Sequence, residues 1–199
     1  DLPLDSLGLG PVDTIDITIP AAEQEDELVV TPEARERGKA ILMTGIEATG
    51  GLEDYKGINS IETRGTMVMF MGGQQLPLKI HQIDVMPDKH RVEMSCMGQT
   101  MYDIRNGDSG WKTDQATMGL VEKTDSDIAS DEKDKRRNTV EIFRQADNPT
   151  YQPIYAGEGV VEGVPVEWVV LLDADGETIC RLGFHAEDHT LVCQKYWGE

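Results

Sequence analysis

From Ile58 to Trp197 the sequence alternates apolar and polar residues in short stretches broken by turn residues, and this rhythm confines the chain to antiparallel sheet. The clearest part is Met86-Pro87-Asp88-Lys89-His90-Arg91-Val92-Glu93-Met94, running on through Gln99 to Asn106-Gly107-Asp108-Ser109-Gly110-Trp111. Antiparallel strands can be joined by tight turns, whereas parallel neighbours need crossovers of about a dozen residues or more. The spacing predicts strands over Ile58–Met71, Leu76–Val85, His90–Met97, Gln99–Arg105 and Gly110–Thr113, with hairpin turns at Gly72-Gly73-Gln74, Pro87-Asp88-Lys89 and Asn106-Gly107-Asp108. Four more follow, over Ile154–Val161, Val164–Asp173, Glu177–His185 and Leu191–Trp197. Within the second of these, Val166 to Leu172 is apolar on both faces apart from Glu167, as in a strand covered on both sides.

Two helices interrupt the strands. Thr31-Pro32-Glu33 supplies a cap, a first-turn proline and an acid at the positive end of the helix dipole. Ala34, Gly38, Ile41, Leu42, Gly45 and Thr49 then follow one helical face, and Gly50-Gly51 closes the segment. The two glycines on that face weaken the helix but let its backbone approach a sheet. Ser130 can cap a second helix, with Asp131 and Glu132 in its first turn and a thin stripe of Val140, Phe143 and Ala146. The expected fold is α+β, a curved antiparallel sheet packed against one or two helices. Residues 1–30, a single alternating stretch (Val12–Pro20) and an acidic linker, cannot form a core alone and read as a segment that pairs elsewhere or belongs to an upstream domain; residues 31–199 read as the domain itself. A start with neither Met nor a targeting signal reads as a fragment or a mature form.

Charge excludes more than it assigns. The formal net charge is -19, a field that repels nucleic-acid phosphates and anionic membrane surfaces. Lys133, Lys135, Arg136 and Arg137 are interleaved with Asp131, Glu132 and Asp134, the pattern of a solvated helix face. No apolar run is long enough for a transmembrane helix. Cys96, Cys180 and Cys193 lack metal or redox spacing; Cys180 and Cys193 fall on adjacent strands and could pair if their registers matched, or stay free.

Few residues suggest chemistry. Met67, Met69 and Met71, joined by Met94, Met97 and Met101, can line an adaptable apolar cavity or simply fill a core. His185, Glu187, Asp188, His189 and Cys193 have metal-binding side chains, but on a hairpin rather than at the helical spacing of zinc peptidases, so a polar turn is the expectation. Asp173-Ala174-Asp175-Gly176-Glu177 reads as a turn rather than a calcium loop, and Ser109 has no histidine nearby in sequence for a triad. The sequence therefore predicts no catalytic residue, no metal and no cofactor.

The helix ending in Gly50-Gly51, then Ile58-Asn59-Ser60-Ile61-Glu62-Thr63-Arg64-Gly65, Pro87-Asp88-Lys89-His90-Arg91 and Asn106-Gly107-Asp108-Ser109-Gly110-Trp111, resembles the outer-membrane lipoprotein-sorting (LolA/LolB-like) superfamily. Gly163-Val164-Pro165, Asp173-Ala174-Asp175-Gly176 and Phe184-His185-Ala186-Glu187 are similar to it as well. The resemblance covers about residues 32–197 and implies a curved antiparallel sheet (half-open barrel) wrapped around one or two helices, in a periplasmic or otherwise extracytoplasmic, non-catalytic domain with an apolar concave cavity for lipid or lipoprotein acyl groups, or for apolar peptide. Its expected lining is Met67, Met69, Met71, Val92, Met94 and Trp168. Leu7-Gly8-Leu9-Gly10-Pro11-Val12 also resembles a stretch that closes the last peptidase domain in insulinase-like zinc metallopeptidases. That implies, as the alternative, an accessory C-terminal module whose active site lies outside this chain.

Overall fold

A computed structural model of the chain describes residues 28–71 and 74–196. The strand expected at Val12–Pro20, the acidic linker, the Gly72-Gly73 turn and Trp197 lie outside the described residues. Among the described residues the architecture is α+β, with antiparallel sheets, a few helices and no closed barrel.

Helix α1 (Pro32–Ala48) begins where the sequence places it: Thr31 Oγ1 accepts a hydrogen bond from Ala34 N at 3.1 Å, and Pro32 occupies the first turn. Its buried face is Gly38, Ile41, Leu42, Gly45 and Ile46. The glycines are required by contact, since a Cβ on Gly38 would lie 2.7 Å from Pro153 O, and one on Gly45 would lie 2.6 Å from the Phe184 ring. The helix stops at Gly50 and Gly51, with φ of 130° and 102°. A short helix, α2 (Leu52–Gly57), follows without having been foreseen, and its Tyr55 ring meets Phe143 edge-on at 5.1 Å.

The strands divide into two meanders. β1 (Ser60–Met71), β2 (Gln74–Val85), β3 (Lys89–Cys96), β4 (Gln99–Asn106), β5 (Ser109–Thr113) and β6 (Leu120–Glu122) form a six-stranded sheet in chain order. β7 (Gln152–Val161), β8 (Val164–Leu172), β9 (Thr178–His185) and β10 (Leu191–Lys195) form a four-stranded one. β6 lies where the sequence pattern dissolves; its three residues are all exposed, so they carry no alternation to read.

The helical insert differs from the expectation of one helix opening at Ser130. It is two helices, α3 (Asp125–Arg136) and α4 (Thr139–Arg144). The first starts earlier because Thr124 and Asp127 form a reciprocal capping box. It ends where Asn138 starts the second, its side chain accepting from Val140 N and Glu141 N.

The apolar core belongs to the four-stranded half. Ile41, Leu42 and Ile46 of α1, Ile142 and Phe143 of α4, and Val169, Leu171, Cys180, Leu182 and Phe184 of the sheet form one buried cluster. β8 is buried at every position from Val166 to Leu172, as its two-sided apolar pattern requires. In the six-stranded sheet the only buried hydrophobic among the described residues is Leu78.

Candidate functional site

The face of the six-stranded sheet turned towards α3 and α4 is set by strand register. Gln82 lies opposite Val92 and Val92 opposite Asp103; Asp84 lies opposite His90 and His90 opposite Arg105; Ile80 lies opposite Met94. Alternate residues share a face, so these rows look the same way. Between them and the helices is a cavity of about 420 Å³. Val92 and Met94 supply an apolar floor, extended by Val85, Met86 and Pro87 at the β2–β3 turn. Asp131, Asp134 and Lys135 of α3, with Asn138 and Glu141, supply the opposite wall.

The roof is attached by ions. Helix α3 buries no residue, so an amphipathic stripe cannot explain its docking. Lys123 Nζ, on a side chain 1% exposed, reaches Asp103 and Asp131 at 2.6 Å each. Arg105 Nη2 meets Glu132 at 2.9 Å, and its Nε donates to Gly107 O at 2.8 Å. Lys112 Nζ meets Asp127 at 2.6 Å. The hydrogen bond from Lys112, aided by those from Thr124, holds the Asp127 carboxyl far below the usual carboxylate range. Burial pushes Glu132 up, but hydrogen bonding to Arg105 and the Lys135 charge outweigh it and keep this acid low. Burial likewise works against the charged form of Lys123, yet its two carboxylate partners raise it above its ordinary value. On the floor, His90 Nδ1 lies 2.6 Å from Asp84 Oδ1, whose other oxygen accepts from Gln82 Nε2 at 2.8 Å.

The structure brings together two of the six expected lining residues, Val92 and Met94. Met67 is paired with Leu78 by register and stands 50% exposed, away from the cavity. Met69 and Met71 pair along the same strand with Leu76 and Gln74; their side chains lie outside the described set. Trp168 belongs to the other sheet, where the Arg181 guanidinium lies 4.5 Å and Lys195 Nζ 4.9 Å from its ring, and where a Cβ on Gly159 would lie 2.5 Å from its Nε1. The charged lining was not foreseen from sequence. Gln82 and Asp84, His90 with Val92 and Met94, and Asp103 with Arg105 do alternate in phase, which was the available signal.

The other candidates resolve into local structure. His185 Nδ1 accepts from Glu187 N at 3.3 Å, whereas His189 Nδ1 approaches Glu167 Oε2 at 3.3 Å, a carboxylate that also takes Arg37 at 2.7 Å. Among the described residues no group of three His, Cys, Asp or Glu is placed to hold a metal ion. Asp173 Oδ1 accepts from Asp175 N and Glu177 N, closing a turn, and Ser109 Oγ donates to Asn106 O. Cys193 lies opposite Gly183 rather than Cys180, and all three thiols are free. No helix among the described residues is long and apolar enough to cross a membrane.

No family model matches the chain, and no curated protein matches it. Two solved structures are similar in outline. A DUF1329 family protein from Desulfovibrio piger is 9% identical, with a TM-score of 0.48 over 83% of this chain and 74% of its own. A domain described as an outer membrane lipoprotein-sorting protein, from Vibrio parahaemolyticus, is 12% identical, with a TM-score of 0.35 over 79% of this chain and 75% of its own. Likenesses this distant assign no role. The expected link to insulinase-like enzymes draws no support from them.

Proposed function

We propose that this chain is a non-catalytic binding domain whose cavity takes the apolar part of an amphiphilic guest, an acyl chain being the leading case. The observation that carries the reading is the cavity of about 420 Å³ floored by Val92 and Met94 beneath a helix with no fully buried residue. That size falls within the roughly 300–1,000 Å³ of ligand sites, which combine apolar walls with a few placed polar groups. Met94 on the floor and Met86 at its edge suit a guest of variable shape, since methionine is flexible and polarisable. An extracytoplasmic setting fits the family resemblance in the strand and turn motifs.

The test is titration of a neutral fluorescent probe, N-phenyl-1-naphthylamine, into the full chain and into Val92→Trp, which fills the floor. Saturable one-to-one binding to the native chain, weakened at least tenfold in the filled variant, is expected. Absence of saturable binding, or equal binding by a folded Val92→Trp, would overturn the reading.

A further inference from the structure

One ring nitrogen of the cavity lining is accessible and has no partner. His90 lines the cavity on the same face of β3 as Val92 and Met94. Its Nδ1 lies 2.6 Å from Asp84 Oδ1, and Gln82 Nε2 donates to the other Asp84 oxygen at 2.8 Å. An ionised carboxylate only accepts, so in the neutral ring the hydrogen sits on Nδ1 and Nε2 carries the lone pair. Nε2 has no hydrogen-bond partner among the described residues, and it is not one of the unpartnered atoms shut off from solvent. Glu141 Oε2 also lacks a partner, but it is shut off and so out of a guest's reach.

The charges of the wall are already matched. Asp103 and Asp131 meet Lys123 at 2.6 Å each, Asp134 meets Arg137 at 3.9 Å, and Asp84 meets His90. Arg105 and Lys135 share Glu132, while Asp88 and Lys89 add one charge of each sign. A charged head group would give up its hydration with no surplus of opposite charge to receive it. A neutral one escapes that cost. A guest that displaces water from Nε2 must also replace the hydrogen bond that water donates, or lose affinity. A hydrocarbon or an ether has no hydrogen to offer; a hydroxyl does.

Resting on the binding reading above, we infer that the guest ends in a neutral hydroxyl that donates to His90 Nε2, with its alkyl chain on Val92 and Met94. Asp84 acts on the ring rather than on the guest, by fixing which nitrogen accepts. Same-face residues of a strand are about 7 Å apart, so a chain running from His90 along β3 meets Val92 and then Met94.

The experiment titrates decanol and decyl methyl ether into the full chain by calorimetry at about pH 8, above the usual range of histidine protonation. The double variant Asp84→Leu with His90→Phe is titrated in parallel; it removes the accepting nitrogen without stranding the carboxylate. Taking the ratio of the two affinities cancels the difference in how readily the probes leave water. The decanol-to-ether ratio should fall about fivefold in the double variant. Proton–nitrogen correlation spectra of the native histidine rings give a second readout that does not depend on the variant folding. Saturating decanol should shift the unprotonated Nε2 resonance of His90, and the ether should not. Equal shifts from both probes, or a proton found on Nε2, would overturn the inference. If both probes bind and their ratio is unchanged in the double variant, this inference fails while the binding reading stands. If neither binds saturably, both fail.

Discussion

The two sheets are built from similar hairpins and held by different forces. The four-stranded sheet packs Val169, Leu171, Leu182 and Phe184 against Leu42, Ile46, Ile142 and Phe143, all almost fully excluded from water. The six-stranded sheet presents Val92 and Met94 half-buried beside a cavity, and its helix is attached through Lys112, Arg105 and Lys123. Hydrophobic burial is non-directional and fills the space available to it; ion pairs hold two surfaces at a few points and leave the intervening space open. A cavity survives on one side of the molecule because that side is fastened by charge.

Several measurements would break or sharpen this contrast. The largest effect belongs to the apolar half: Phe184→Ala should cost about 3–5 kcal/mol in urea unfolding, whereas Met94→Ala, half-buried beside the cavity, should cost about 1 kcal/mol. Comparable losses would erase the distinction. Next is Lys123→Met, which strands Asp103 and Asp131 and should cost about 2–4 kcal/mol, below the usual figure for a buried pair because both acids keep some solvent. Amide exchange should accelerate in α3 and β4–β6 but not in α1; a uniform change would mean that the halves are coupled throughout.

A smaller effect concerns pH. Asp127 and Glu132 are more acidic folded than unfolded, so their contribution is complete above the ordinary carboxylate range and is lost as pH falls through their lowered values. Lys123 is more basic when folded, so its contribution is complete below its ordinary 10.5 and disappears as pH rises through the folded value. Protection of α3 should therefore be flat from about pH 5 to 9 and fall at both extremes, sooner in acid than protection of α1. A midpoint near neutrality would contradict the ion-pair account. The smallest effect is chemical. Burial pushes the Cys180 thiol up to about 12 and also raises Cys193, so iodoacetamide at pH 8 should spare Cys180 in the native state while half-buried Cys96 reacts. Modification of Cys180 as fast as Cys96 would show that the apolar half opens readily.

Local chemistry made much of the fold legible. Thr31-Pro32-Glu33 and Gly50-Gly51 marked α1 because caps and positive φ are properties of neighbouring residues. The hairpins from β1 to β5 followed from alternation and turn residues, and the two-sided apolar run of β8 announced its burial. The break between α3 and α4 was less legible because Asn138 interrupts a continuous charged and apolar pattern with a single cap. In the candidate site Val92 and Met94 were readable as an apolar pair on one strand face. Trp168 shares their composition and alternation, yet it lies on the other sheet, since alternation fixes a face and not a neighbour.

The amino-acid order by itself determined the antiparallel strands, their turns, the capped first helix and a charge hostile to polyanions, all of which depend on residues a few positions apart. Tertiary structure alone decided that the strands split into two sheets, that α3 sits across one of them, and that Glu141 is left without a hydrogen bond to Oε2 in the cavity wall. Those outcomes depend on pairs such as Lys123 with Asp103 and Arg144 with Ile58, which meet only after loop closure and leave no periodic trace along the chain.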